Sequence, residues 1–340
     1  MNDLSAPDGP KPFVKTLDPE NDLARGSAVC IVGLRLDHYS TCQGPAGSIK
    51  RMRLIVTADL HYDIARSVAP TEALASRLSG ERADGLVIVG DACGRDPDIL
   101  RRCLRLFDRF AGQVFYVAGN HDLWTDGEDS LRRYERDLAD ICAECGVWYL
   151  DAKPWIRGGV ALVGSIGWYD YTFRRASLRI PLRFYRHKLA PGAAEALSDH
   201  RHLLDRRDDV PPESLAVGTR WLDGVHVRLP MTDVEFTRRL HERLAAHLSR
   251  AAECAERIVV AMHHLPFARM VHVSGRAAWD FANAFMGSEI FGELLLSVPQ
   301  VRYVVCGHTH RPLRTRAGRI ECINVGCTYA AKRYEVIELA

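Results

Sequence analysis

The chain has 340 residues, 47% of them apolar and 26% charged, with a formal net charge of +2. That length supports a sizeable core in one elaborated α/β domain, and the near-neutral charge argues against a strong duplex nucleic-acid binder. No stretch approaches the ~20 apolar residues of a membrane span, and Met1-Asn2-Asp3-Leu4 lacks the basic and apolar regions of a secretory signal, so a cytoplasmic protein is expected.

Residues 1–50 are rich in Pro, Gly, Asp and Ser, with one possible short strand at 28–36, and are expected to form a disordered or peripheral tail. Met52 is a candidate natural start, because 53–58 is the first clear strand. The remainder, 51–340, reads as one catalytic domain. A βα alternation follows: helix 71–82, strand 85–89, helix 97–110, strand 113–118, helix 128–145, then short strands 147–150 and 160–166. Strands this rich in Val and Ile, with little alternation, are the kind buried on both faces by helices, which predicts a layered α/β fold.

Cys142 and Cys145 close the helical run before Gly146. No second Cys pair completes a zinc site around them, and the ten cysteines show no repeating framework, which suits free thiols.

The rhythm breaks at 171–230, which reads as an insertion or cap. Arg174, Arg175, Arg179, Arg183, Arg186 and Lys188 occur there with no acidic residue among them. Such an arm either recruits an anionic leaving group or is a solvated face. The alternation resumes with helix 232–254 and strand 257–262. After a loop containing 279–285 come helix 288–296, strand 301–306 and short strands at 320–325 and 333–337.

Five of these strands end in polar clusters: Asp59-Leu60-His61, Gly90-Asp91, Gly119-Asn120-His121-Asp122, His263-His264 and Gly307-His308-Thr309-His310. Open α/β sheets place their chemistry at the carboxyl ends of strands. Asp, Asn and His without Cys form a donor set for Mn, Fe, Zn or a related pair of ions, not for a closed structural zinc.

In this order the clusters resemble those of the calcineurin-like metallophosphoesterase superfamily, over about 53–329. The resemblance implies a metallo-dependent phosphatase-like α/β fold, a four-layer sandwich of two mixed β-sheets flanked by α-helices. It implies that Asp59, His61 and His310 hold one metal, that Asn120, His263 and His308 hold the other, and that Asp91 bridges them. The ions would be divalent or trivalent, with Mn, Fe or Zn expected. The implied reaction is attack of a metal-bridging hydroxide on phosphorus while His121 protonates the leaving oxygen.

Asp122 either orients His121 or a ligand, or caps the following segment. The protein Ser/Thr phosphatases of this superfamily carry a second Asp where this chain has Gly94, so a carboxylate beside His121 must come from elsewhere, Asp63 or Asp122. Arg95 aligns with a phosphate-binding arginine of the family. His264, Tyr169 and Asp170 are candidate substrate contacts, with the aromatic side chains of 167–171 able to stack on a base.

The runs His263-His264-Leu265-Pro266 and Gly307-His308-Thr309-His310-Arg311-Pro312 resemble the bacterial phosphodiesterase branch. A small phosphate ester is therefore expected, nucleotide-linked in one reading and a diester before a monoester. The alternatives are a nuclease acting on DNA or RNA and a non-catalytic metal-binding scaffold of the same fold. Competent donors at every ligand position speak against the scaffold. These motifs assign no oligomeric state.

Overall fold

The computed structural model describes residues 51–339. The tail expected over 1–50 lies outside them. β1 (Met52–Thr57), β2 (Gly85–Val89), β3 (Gln113–Val117) and β4 (Trp148–Tyr149) run parallel in one sheet, and β11 (Glu335–Leu339) joins antiparallel beside β1. The second sheet centres on parallel β6 (Val160–Ser165), β7 (Arg257–Met262), β8 (Val301–Cys306) and β10 (Ile320–Asn324). Its edges are the antiparallel strands β5 (Trp155–Arg157) and β9 (Leu313–Ala317).

Alternate residues of each strand serve two different cores. Leu54, Val56, Val87, Val89, Phe115 and Val117 of the first sheet pack with Val160, Leu162, Val259, Ala261, Val305 and Ile323 of the second. Their neighbours Ile55, Leu86, Ile88, Tyr116, Val163, Val260 and Val304 belong to the core that includes the helices. Each strand is therefore covered by the opposite sheet on one face and by helices on the other. Both faces are dry, which explains the weak alternation, although helices do not supply both covers as expected. The result is a four-layer sandwich of two mixed sheets between helices.

α1 (Ala65–Leu78) starts earlier than expected because it runs through Pro70 instead of beginning after it. α2 (Pro97–Arg105) starts with Pro at its first position, and the Asp96 side chain accepts from the amides of Asp98 and Ile99 at 2.8 and 3.4 Å. The expected helix over 128–145 is α3 (Ser130–Arg132) and α4 (Leu138–Glu144), joined by a π turn at Arg133–Asp137.

The 171–230 segment contains no strand; it holds α5 (Leu182–Arg186), α6 (Pro191–Ala196), α7 (Asp223–His226) and 3-10 turns. α8 (Asp233–Cys254) packs on β6, and α9 (Ala277–Ala282) and α10 (Glu289–Ser297) follow β7.

β5 and β9 escaped the sequence reading. β5 is three residues long, and β9 alternates charged with uncharged residues, the pattern of a protected edge. The sheets are tied at their carboxyl ends by buried Asp151, which accepts from Ala118 N beyond β3 at 2.9 Å, Ile166 N beyond β6 at 2.5 Å and the Tyr134 hydroxyl at 2.8 Å. No helix among the described residues is long and apolar enough to cross a membrane.

Candidate metal centre

All five polar clusters meet at this edge. The first sheet contributes Asp59 and His61 after β1, Asp91 after β2, and Asn120 and His121 after β3. The second contributes His263 after β7, and His308 and His310 after β8. Past the end of their strands, β1 and β2 stay locked together: His61 N donates to Asp91 O at 2.8 Å and Asp59 N to Gly90 O at 3.0 Å.

The backbone is bent hard to aim these side chains. Asp59, His61, Asp91, His308 and His310 have φ of 53°, 44°, 53°, 72° and 55°, left-handed values that side-chain-bearing residues rarely adopt. Each costs on the order of 1–3 kcal/mol, and such strain clusters where function holds it. Two glycines make room. A Cβ on Gly119 would lie 2.1 Å from Asp91 Oδ1, and one on Gly90 would lie 2.3 Å from His263 Nδ1.

The donor atoms fall into two groups that share one residue. Asp59, His61, Asp91 and His310 form one; Asp91, His263 and His308 form the other, with ligand atoms in each group within 4.8 Å of one another. His61 Nε2 and His310 Nε2 lie 3.2 Å apart, and His263 Nε2 and His308 Nδ1 are also 3.2 Å apart. Asp91 Oδ2 stands 3.6 Å from His61 Nε2 and 3.4 Å from His263 Nε2. Asn120 Oδ1 completes the second group, 3.3 Å from His263 Nε2.

These residues fit a pair of cations. Asp59 Oδ2 is buried with no hydrogen-bond partner, an arrangement that costs free energy unless a cation faces it. Burial lowers the pKa of His61 and His308 well below the usual range and that of His310 to about 3, leaving neutral imidazoles with lone pairs to give. Burial works against an ionised Asp91, but His263 and His121 outweigh it and hold its carboxyl well below the usual range.

Outer contacts fix the ring tautomers: His263 Nδ1 lies 3.0 Å from Val89 O and His308 Nε2 lies 3.2 Å from Phe285 O.

His121 sits half-buried at the rim. Its backbone N–H donates to Asp91 Oδ1 at 2.9 Å, and its ring stacks on Trp124 at 3.8 Å and meets the His61 ring at 4.7 Å. Of the roles open to Asp122, its hydrogen bonds match that of a residue behind the ligands. Its oxygens accept from the amides of Gly119 at 2.7 Å, Asp91 at 2.8 Å and Cys93 at 3.1 Å. With all three bonds made to backbone, it pins the two ligand-bearing turns and is not engaged with the His121 ring.

The space at Gly94 is taken by Asp63, whose Oδ2 would lie 2.7 Å from a Cβ there. Burial raises the Asp63 pKa and the nearby His121 imidazole opposes the rise, so Asp63, like Asp91, lies within electrostatic reach of His121.

Of three expected substrate contacts, two are engaged within the fold and the third, His264, is buried beside His308. Tyr169 is fully buried, stacks on Trp168 at 4.6 Å and donates to Asp223 at 3.0 Å, so it offers no face to a base. Asp170 accepts from Thr172 N at 3.0 Å and from Ser288 Oγ at 2.6 Å, fastening the start of α10. His264 is buried with Nδ1 against Ile166 O at 3.0 Å.

Arg95 is exposed and paired with Asp126. The fold also brings acids to the basic arm: Arg179 meets Glu213 at 3.0 Å, Arg183 meets Asp209 at 2.5 Å and Lys188 meets Asp233 at 2.5 Å.

Sequence reading missed two residues that shape the centre. Arg133, turned inward by the π turn, donates to the carbonyls of Gly94 at 3.0 Å, Arg95 at 2.8 Å and Asp122. Asp223 binds the amide of Asn120. Neither lies in a motif, and each acts on residues far away in the chain.

A two-sheet sandwich with a carboxylate shared between two metal-binding groups defines a metal-dependent phosphoric ester hydrolase. A family model described as calcineurin-like phosphoesterase matches residues 52–312, and the chain belongs to that family. Its members use divalent metal ions.

Over 99 residues the chain is 36% identical to the acyl-carrier-protein phosphodiesterase PptH of Mycobacterium tuberculosis (strain ATCC 25618 / H37Rv), a match covering 26% of this chain and 30% of that protein. The crystal structure of the phosphopantetheinyl hydrolase PptH from Mycobacterium tuberculosis aligns with a TM-score of 0.55 and 20% identity, over 82% of this chain and 89% of that one. It shares the fold.

Proposed function

We propose that this chain is a dinuclear phosphodiesterase acting on a small phosphate ester, with the 171–230 segment as an insertion in a single catalytic domain. Asp59, His61 and His310 hold one ion, Asn120, His263 and His308 hold the second, and Asp91 holds both. The observation that carries this reading is that Asp91 belongs to both donor groups. Oxygen and imidazole donors without thiolate favour Mn, Fe or Zn. The partial match to PptH, named a phosphodiesterase, favours a diester over a monoester.

Bound ions of this kind lower the pKa of coordinated water and neutralise charge on the phosphoryl group. The chain's own residues supply the rest. Asp91 Oδ1, accepting from His121 N, fixes that residue beside the shared carboxylate. Trp124 holds the His121 ring from behind, so its proton is presented to the departing oxygen. Asp63 fills the gap at Gly94 and stands near His121. Asp122 and Arg133 keep the turns of Asp91, Gly94 and Gly119 from relaxing their strained backbone.

The test is hydrolysis of bis-p-nitrophenyl phosphate beside p-nitrophenyl phosphate after chelation and readdition of Mn, Fe or Zn, with Asp91→Asn as control. A carrier-protein phosphodiester and single-stranded DNA are assayed alongside. Metal-restored turnover that favours the small diester and disappears in Asp91→Asn is expected. Stoichiometric metal binding without turnover of any ester would overturn the proposal in favour of a scaffold, and preference for DNA would turn it to a nuclease.

A further inference from the structure

Asp223, at the start of α7, is only 1% exposed and has four neutral partners. Its Oδ1 accepts from Asn120 Nδ2 at 2.8 Å and Trp124 Nε1 at 2.9 Å. Its Oδ2 accepts from Trp221 Nε1 at 2.7 Å and Tyr169 OH at 3.0 Å. A buried carboxylate is costly unless such donors satisfy it, and four donors from four separate positions give it a single orientation.

The donors are not arbitrary. Asn120 is one of the residues grouped around His263. Trp124 stacks on His121 at 3.8 Å. The Trp221 ring stacks on Phe285 at 5.2 Å and meets His308 edge-on at 5.7 Å, while the Phe285 carbonyl faces His308 Nε2 at 3.2 Å. The 171–230 segment is also laced to the chain after His121: Thr125 N donates to His226 O at 2.9 Å and Ser130 N to Arg228 O at 3.0 Å.

An asparagine amide has a donor end and an acceptor end of nearly equal size. Turned one way, Asn120 would present Nδ2 to the centre and its carbonyl to Asp223, oxygen against oxygen. Turned as observed, Nδ2 is spent on Asp223 and Oδ1 points toward His263 Nε2 at 3.3 Å.

We propose that Asp223 is a positioning residue through which the insertion sets the sense of the Asn120 amide, so that its oxygen and not its nitrogen meets the second ion. The proposal rests on the dinuclear reading above.

The experiment titrates Mn into the chelated full-length chain and its variants, with the melting temperature of each chelated variant as the folding control. Wild type is expected to take up two ions. Asp223→Asn offers one acceptor oxygen to four donors and no longer fixes the amide, so one of the two ions should bind ~10- to 100-fold more weakly, the usual effect of losing a partner behind a ligand. Asn120→Ala should weaken the same ion.

The double variant should be no weaker than Asn120→Ala alone, because the first residue acts through the second. Losses that multiply in the double variant, or an Asp223→Asn chain with wild-type affinity for both ions, would overturn the proposal.

Should Asp223→Asn not fold, the wild-type protein still decides. The Asn120 side-chain amide resonance, identified by its loss in Asn120→Ala, is expected to exchange slowly with solvent, and rapid exchange would overturn the proposal. A wild-type chain that binds fewer than two ions would remove the dinuclear reading, while the amide measurement would still decide whether Asp223 holds Asn120.

Discussion

His121 and Asp122 are neighbours with opposite surroundings, and the roles proposed from that difference can be measured. His121 meets His61 with its ring and the scaffold through Trp124 and its own backbone N–H. Its replacement by Ala should leave urea stability within about 1 kcal/mol. The rate on a diester with a poor leaving group should fall ~10²- to 10⁴-fold, with much less effect on p-nitrophenolate, which departs without a proton. Equal losses on good and poor leaving groups would remove His121 as the acid.

Asp122→Ala does the reverse, because it orphans three buried backbone N–H groups. At ~1–3 kcal/mol for each orphaned donor, a loss of about 3 kcal/mol or more in urea unfolding is expected, together with weaker metal binding. A variant as stable as the parent would show that water replaces the carboxylate. The sequence could not separate these duties, since a carboxylate beside a catalytic His reads the same whether it faces the ring or the backbone. Tyr169 was open for a similar reason: an aromatic residue at a strand end serves core and ligand equally well, and its burial and its bond to Asp223 place it in the core.

At the scale of elements, strand positions were legible because Val- and Ile-rich runs ended in turn residues, and β2, β7 and β8 lie where their sequence places them. What was illegible depended on distant partners. β9 exists because β10 pairs with it, and the ion pairs of the basic arm depend on acids 26 to 45 residues further along the chain.

Helix α8 carries two local devices that can be tested. Thr232 and Glu235 form a reciprocal cap, with Glu235 N donating to Thr232 Oγ1 at 3.3 Å and Thr232 N to Glu235 Oε2 at 2.8 Å. Thr232→Ala should lower stability by ~1 kcal/mol in urea unfolding. An unchanged midpoint would mean that tertiary packing alone fixes this end.

On the same helix, burial and then Arg243 lower the pKa of His247 to about 4. The unfolded chain therefore binds a proton between pH 6.5 and about 4 that the folded chain refuses, and stability must fall as the pH drops through that window. His247→Gln should flatten this part of the stability profile relative to the parent. Parallel profiles for the two proteins would show that His247 titrates normally in the fold.

For the whole molecule, the notable feature is how the two donor groups divide between the sheets. Asp59, His61 and Asp91 come from the first sheet and His310 from the second. Asp91 and Asn120 come from the first, and His263 and His308 from the second. Each group therefore brackets the sandwich at the edge where Asp151 supplies the protein's own staple. Ions bound there would join the layers, and metal release should loosen the sheets against each other as well as stop catalysis.

A ligand present at 1,000 times its dissociation constant adds about 4 kcal/mol to stability, so two such ions add about 8, and in a domain of this size each kcal/mol moves the melting temperature by ~1–2 °C. Calorimetry of chelated and Mn-loaded protein should therefore show a difference of about 8 °C or more, and Asp91→Asn, which strips both groups of their shared ligand, should lose most of it. If the chelated and loaded proteins melt together while both ions are shown to bind, the bracket does no structural work, and the strained turns at Asp59, Asp91 and His308 must be held by Asp122, Asp151 and Arg133 alone.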